Sequence, residues 1–171
     1  MTTVLVPLHT SRNGELAVAL PSALNPNDAL AIRGTVVNLN PTLPSPIPPW
    51  GDGAAIYFFD AANNVLLDIS IRRTERVLLF NSKPAGGNWG NEERIPLAGI
   101  FPSVGVPTTI TLVNLADHYK IVFESTAVYS FKKRTGLGGV PTKVQYITDA
   151  GISQSLSSPL VVQQLDTLVA A

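Results

Sequence analysis

Between Asp68 and Arg94 the chain gathers nine of its 24 charged side chains, although charged residues make up only 14% of the whole. Read as a strand, NVLLDISIR sends Leu67, Ile69 and Ile71 to one face and Asp68, Ser70 and Arg72 to the other. A tight turn at Thr74 and Glu75 returns the chain through RVLLFN, where Val77, Leu79 and Asn81 share a side. Beyond it, GGNWGNEERIPL places Trp89 in a polar turn, with Glu92 and Arg94 on one face and Glu93 opposed. One face of a hairpin thus collects planar donors (Arg72, Arg94), acceptors (Asp68, Glu92), a hydroxyl (Ser70), an amide (Asn81) and an exposed indole. That mixture suits a polyhydroxylated ring, whose hydroxyls donate and accept together while its C–H face lies flat on an indole. Ion pairs of Arg72 with Asp68 and with Glu92 are expected to hold the polar groups before a ligand arrives. The plainer alternative is a solvated sheet face laced with surface ion pairs, its tryptophan covered by an arginine stem.

Other chemistries fit less well. Asp68 and Glu92 offer the two carboxylates of a glycosidase, but arginine partners lower carboxylate pKa values and spoil the protonated acid. Glu92 and Glu93 point opposite ways and cannot be such a pair. With no cysteine and two histidines, His9 and His118, neither thiolate chemistry nor a histidine metal site is expected. Twelve basic residues balance twelve acidic ones, so no nucleic-acid footprint is visible. The run Lys132, Lys133, Arg134 beside Tyr129 and Phe131 reads as a solvated strand edge that discourages aggregation. A capsid-like jelly roll with a merely wet polar face is a further alternative. His118 reads as a turn residue, and His9 has no assigned role.

The elements that must position these residues are short runs rich in Val, Ile, Leu, Thr and Phe, separated by turn signals such as SRNG, DAANN, KPAGG and TGLGG. Twelve such runs, from VLVPL to SPLVVQQL, with no amphipathic helical stretch, predict an all-β, two-sheet antiparallel β-sandwich of jelly-roll type as one domain over residues 1–171. NPTLPSPIPPWGDG, residues 40–53, holds five of the 14 prolines and reads as a stiff, solvent-facing loop. Asn40 and Trp50 within it are candidates for extending the site. No apolar run reaches spanning length, so membrane insertion is not expected. The amino terminus lacks a basic leader followed by an apolar run, which implies cytoplasmic synthesis and, for extracellular glycans, unconventional release.

The run NVLLDISIRRTERVLLFNSKPAGGNWGNEERIPL resembles the galectin signature, most closely that of the mushroom galectins, whose LLHISIR, FNS, GG, W, EER and IP are almost reproduced. The resemblance implies a galectin-type sandwich and a lectin for β-galactoside-containing glycans, with neither metal nor other cofactor and no turnover. Its partners would be galactoside-containing oligosaccharides, glycoproteins or glycolipids. It further implies a homodimer or homotetramer serving fungal defence or glycan recognition. Arg72, Asn81, Trp89, Glu92 and Arg94 fall on the family's sugar-contacting positions. Ser70 stands where animal galectins have asparagine, and Leu79 replaces a valine. Asp68 takes the place of the histidine that helps read the galactose 4-hydroxyl. Either Asp68 accepts from that hydroxyl and keeps the galactoside preference, or specificity shifts to non-galactose or chito-oligosaccharide glycans. Galactosides with a sulfate or sialic acid near Asp68 are expected to bind worse than neutral ones.

Overall fold

The computed structural model describes residues 2–10, 14–42, 52, 54–149 and 152–165. In chain order the strands are β1 (Thr3–Val6), β2 (Leu8–His9), β3 (Val18–Ala19), β4 (Ala29–Thr35), β5 (Ala54–Phe59), β6 (Val65–Arg72) and β7 (Val77–Lys83). They continue as β8 (Glu93–Pro96), β9 (Pro107–Asn114), β10 (His118–Phe123), β11 (Thr126–Lys132), β12 (Lys143–Ile147) and β13 (Leu160–Leu165). The first sheet runs β1-β13-β4-β9-β10-β11; the second runs β2-β12-β5-β6-β7-β8, with β3 also on β12. The expected two-sheet antiparallel sandwich is what forms, apart from one short parallel pair, β2 on β12. Each expected strand is present, and the first is divided. Pro7 has no N–H to give a ladder, so β1 ends before it in one sheet and β2 begins after it in the other.

Between the sheets, Ile32, Ile110, Leu112 and Ile121 meet Ile56, Leu67, Ile69 and Phe80, all buried. A bulge in β6 between Val65 and Asp68 alters the simple alternation. The extra residue lets Leu66 and Leu67 both reach the core, and Val65 shares the outer face with Asp68. On that outer face Ala55, Tyr57, Phe59, Val65 and Ile147 form a second apolar cluster with Ala17 against it. Gly14, at φ 76°, lies so close to the Phe59 ring that an added Cβ would stand 3.0 Å from it. Gly14 and Ala17 therefore cover the Phe59 side of this face, and the Asp68 side is open.

Most of the expected solvent-facing loop, residues 43–51 and 53, lies outside the described residues, but Asp52 near its close is held in place. Asp52 is 1% exposed and accepts from Arg73 N at 2.7 Å and Arg73 Nε at 3.0 Å. The fully buried guanidinium also donates to Asn38 O at 2.9 Å and Ser153 O at 2.7 Å. Charge in a core persists only when paired and hydrogen-bonded in this way. Trp50 lies outside the described residues, while Asn40 accepts from Arg76 Nη1 at 2.8 Å.

Candidate functional site

The open part of the second sheet's outer face is a groove of about 560 Å³. Its floor is built in rows by strand register. Tyr57, Asp68 and Asn81 lie side by side across β5, β6 and β7, and Ala55, Ser70, Leu79 and Arg94 form the next row out to β8. Asp68, Arg72, Asn81, Trp89, Glu92 and Arg94 all line the groove, so six of the seven sequence-derived residues converge on one surface. The seventh, Ser70, is 2% exposed and donates its hydroxyl to Asp68 Oδ1 at 2.7 Å, orienting that carboxylate from the neighbouring row.

Trp89 is 41% exposed, large for a tryptophan with neighbours on two sides. Its ring lies 5.5 Å from that of Tyr57 at 59°, and Lys83 Nζ stands 5.6 Å from its centroid. The loop that carries it folds back because Gly86 takes φ 69° and Gly87 N donates to Pro84 O at 3.0 Å. Gly90 N to Ser82 O at 3.1 Å then closes the loop. The indole is thus braced by Tyr57 and Lys83 while part of it stays open to solvent.

At the β6–β7 turn the charges pair off. Arg72 Nη1 is 3.7 Å from Glu75 Oε1, and Glu75 Oε2 accepts from Arg94 Nη1 at 2.5 Å. Arg94 also donates to Glu92 through Nε at 3.0 Å and through Nη2. The Glu92 carboxylate first, then Glu75, holds the Arg94 guanidinium even more firmly charged. Sequence reasoning expected Arg72 to pair with Asp68 and Glu92; Glu92 instead pairs with Arg94, and Glu75, which was missed, joins Arg94 to Arg72. Its signal was the spacing of three residues after Arg72 across a tight turn, and the direction of a turn side chain depends on Arg76 sitting at φ 59°. Val65, Tyr57 and Lys83 were missed as well; the bulge explains the first, and all three line the groove.

Asn81 is held on two sides. Its Oδ1 accepts from Ser82 N at 2.9 Å and from Arg134 Nη1 at 2.5 Å, and its Nδ2 donates to Gly90 O at 3.0 Å. The carbonyl end is thereby occupied, and the second amide hydrogen is left for a ligand. Arg134 also donates to Asn91 O and to Ser82 O. The expectation of a solvated edge at Lys132 to Arg134 therefore needs correction. Lys132 is exposed, but Lys133 Nζ donates to Leu115 O at 2.6 Å and Arg134 braces the tryptophan loop, because each has a carbonyl within reach and burying a cation without one is costly. Glu93 points away from the groove, as alternation requires. It accepts from Tyr129 Oη at 2.5 Å, which pushes the phenol up to about 12. His118 opens β10 with Nδ1 2.7 Å from Asp117 Oδ1, away from the groove, and no cluster of three His, Cys, Asp or Glu side chains that could hold a metal occurs among the described residues.

Comparison with known proteins agrees with this geometry. The galactoside-binding lectin family matches residues 15–154. Galectin-1 of Coprinopsis cinerea is 42% identical over 84 residues, 48% of this chain and 55% of that protein, so the match spans about half the relative's length. Galectin-2 of the same fungus is 34% identical over 117 residues, 68% of this chain and 70% of that one. Among solved structures, the Caenorhabditis elegans galectin LEC-6 superposes with a TM-score of 0.65 over 96% of each chain at 14% identity. A tetrameric galectin from the sponge Cinachyrella sp. does so with a TM-score of 0.57 at 22% identity, over 88% of this chain and 94% of that one. These two show likeness of fold, while the extent of the family match and the relationship to Galectin-2 carry the assignment: the chain belongs to the galactoside-binding lectins, the galectins.

Proposed function

We propose that the groove binds β-galactoside-containing glycans, without metal and without turnover. The observation that carries this reading is the half-exposed Trp89 indole beside hydrogen-bonding groups already fixed by other protein atoms. A pyranose laid on the indole meets the donors Arg72, Arg94 and Asn81 and the acceptors Asp68 and Glu92, and little ordering is left to the moment of binding. Turnover is disfavoured because Glu92 is hydrogen-bonded to Arg94 and Glu75 is shared between two arginines, so both carboxylates are already engaged as acceptors of arginine N–H groups. Asp68 accepts from Ser70 at 2.7 Å, which fixes it as an acceptor beneath the ligand and supports a retained galactoside preference. By analogy with its relatives the protein acts as a homodimer or homotetramer that cross-links glycoproteins or glycolipids, with defence or glycan recognition as its role.

A glycan array run on wild type, Trp89→Ala and Asp68→His tests the reading. Trp89→Ala should lose about tenfold to a hundredfold in affinity through lost apolar burial and stacking, and Asp68→His should strengthen lactose-type ligands. Wild-type hits without a galactoside among them would overturn the galactoside preference, and an unchanged profile for Trp89→Ala would place the site elsewhere.

A further inference from the structure

The groove contains three cations and three carboxylates, but they are not evenly mixed. Arg72 and Arg94 lie at the β6–β7 turn, where Glu75 and Glu92 neutralise them. Lys83 lies at the other end of β7, opposite Val65 in the register and two residues past Asn81 on the same face. Among the described residues no carboxylate stands within ion-pairing distance of its ammonium, and its one recorded partner is the Trp89 ring at 5.6 Å. The neighbours at this end are apolar, Val65 and Tyr57, so the charge there is less well screened than a cation on an open surface. Asp68, one row inward, is 4% exposed and bonded to Ser70, and lies in the floor rather than beside the lysine head.

From this asymmetry we infer that Lys83 forms an anion subsite at the Trp89 edge of the groove, selecting glycans in which the sugar stacked on Trp89 carries a sulfate ester or a linked acidic sugar. The inference rests on the proposed stacking of a sugar on Trp89. A ring on the indole projects substituents from its rim, and those on the Lys83 side meet three N–H donors that no protein acceptor among the described residues uses. The indole also holds the ammonium by cation–π attraction, so part of the cost of ordering a long side chain is met before the ligand arrives. The effect depends on position. A substituent on the Lys83 side is attracted, while one turned inward meets the Asp68 carboxylate and is repelled. Neutral and anionic galactosides are therefore separated by where the charge is attached, not by its presence alone.

Calorimetric titration of wild type and Lys83→Gln with lactose, each singly sulfated lactose isomer and the sialylated lactoses, at low and near-physiological salt, tests this. At least one anionic isomer should bind wild type about threefold to tenfold more tightly than lactose at low salt. The advantage should shrink as salt rises. In Lys83→Gln the ratio of anionic to neutral affinity should fall to one or below, whatever the variant does to lactose itself. Tighter binding confined to the sulfated isomers identifies a sulfate ester as the occupant; confined to the sialylated ones, it identifies the carboxylate of an acidic sugar. Wild type that binds lactose but prefers it to every anionic derivative overturns the subsite and leaves the lectin reading intact, as does a preference that survives in Lys83→Gln. Failure to bind any of the panel overturns the lectin reading itself.

Discussion

Arg134 acts on the groove from outside it. Its guanidinium, supplied just past the end of β11 in the opposite sheet, reaches Asn81 Oδ1, the Ser82 carbonyl of β7 and the Asn91 carbonyl of the tryptophan loop. Gly90 makes room for it: a Cβ there would fall 1.8 Å from Arg134 Nη1. Gly90→Ala should thus act as a mild form of Arg134→Ala, since both leave Asn81 without its charged donor and the loop without its brace. A charge-assisted hydrogen bond contributes about 1.5–3 kcal/mol, so each variant should weaken glycan binding by roughly tenfold. Because they remove the same interaction, the double variant should be little worse than the weaker-binding single one, and additive losses in a double-mutant cycle would show that Gly90 acts by another route. The sequence concealed this link. Arg134 and Asn81 are 53 positions apart, and a basic run at a strand end is ordinarily surface.

The adjacent arginines after Ile71 show what a strand does to neighbouring residues. Arg72 faces the groove, whereas Arg73, one step on, turns inward to Asp52, Asn38 and Ser153 and is wholly buried. It joins the hairpin end to the close of the proline-rich segment and to the approach to β13. Removing the guanidinium in Arg73→Met leaves the Asp52 carboxylate buried with the backbone N–H of residue 73 but without its counter-charge, at a cost of about 3–5 kcal/mol in stability. A denaturant midpoint unchanged from wild type would mean that Asp52 finds water instead. The floor of the groove was legible in the sequence because alternation alone sorts Asp68, Ser70 and Arg72 from Leu67, Ile69 and Ile71. Legibility stopped at the β6 bulge, which puts Val65 on the face of Asp68 at odd spacing, and at the turn that swings Glu75 between two arginines. It stopped too at Pro7, where one apolar run becomes strands of two different sheets, since sheet membership is a long-range property no local pattern encodes.

At the scale of the whole molecule, the site is the joint product of both sheets. Rows of the second sheet make its floor, and Arg134 and Tyr129 from the first sheet's edge strand hold the Trp89 loop and β8 in place. The far edge of that first sheet is closed by the two ends of the described chain: β1 lies outermost, paired only with β13, with Thr3 opposite Gln163 and Val6 opposite Leu160. Edge strands with one ladder exchange their amides through small local openings, so β1 should lose protection well before β6 or β9 in hydrogen–deuterium exchange, and equal protection would contradict it. The antiparallel pairing also sets how this edge yields to force. Thr3 and Gln163 sit at the same end of their ladder, so tension applied through them opens the hydrogen bonds one at a time, as a zip opens, instead of shearing all of them together. A molecule tethered by these ends between two surfaces would peel from β1 at low force, while the groove, on the other sheet, kept its shape and its grip.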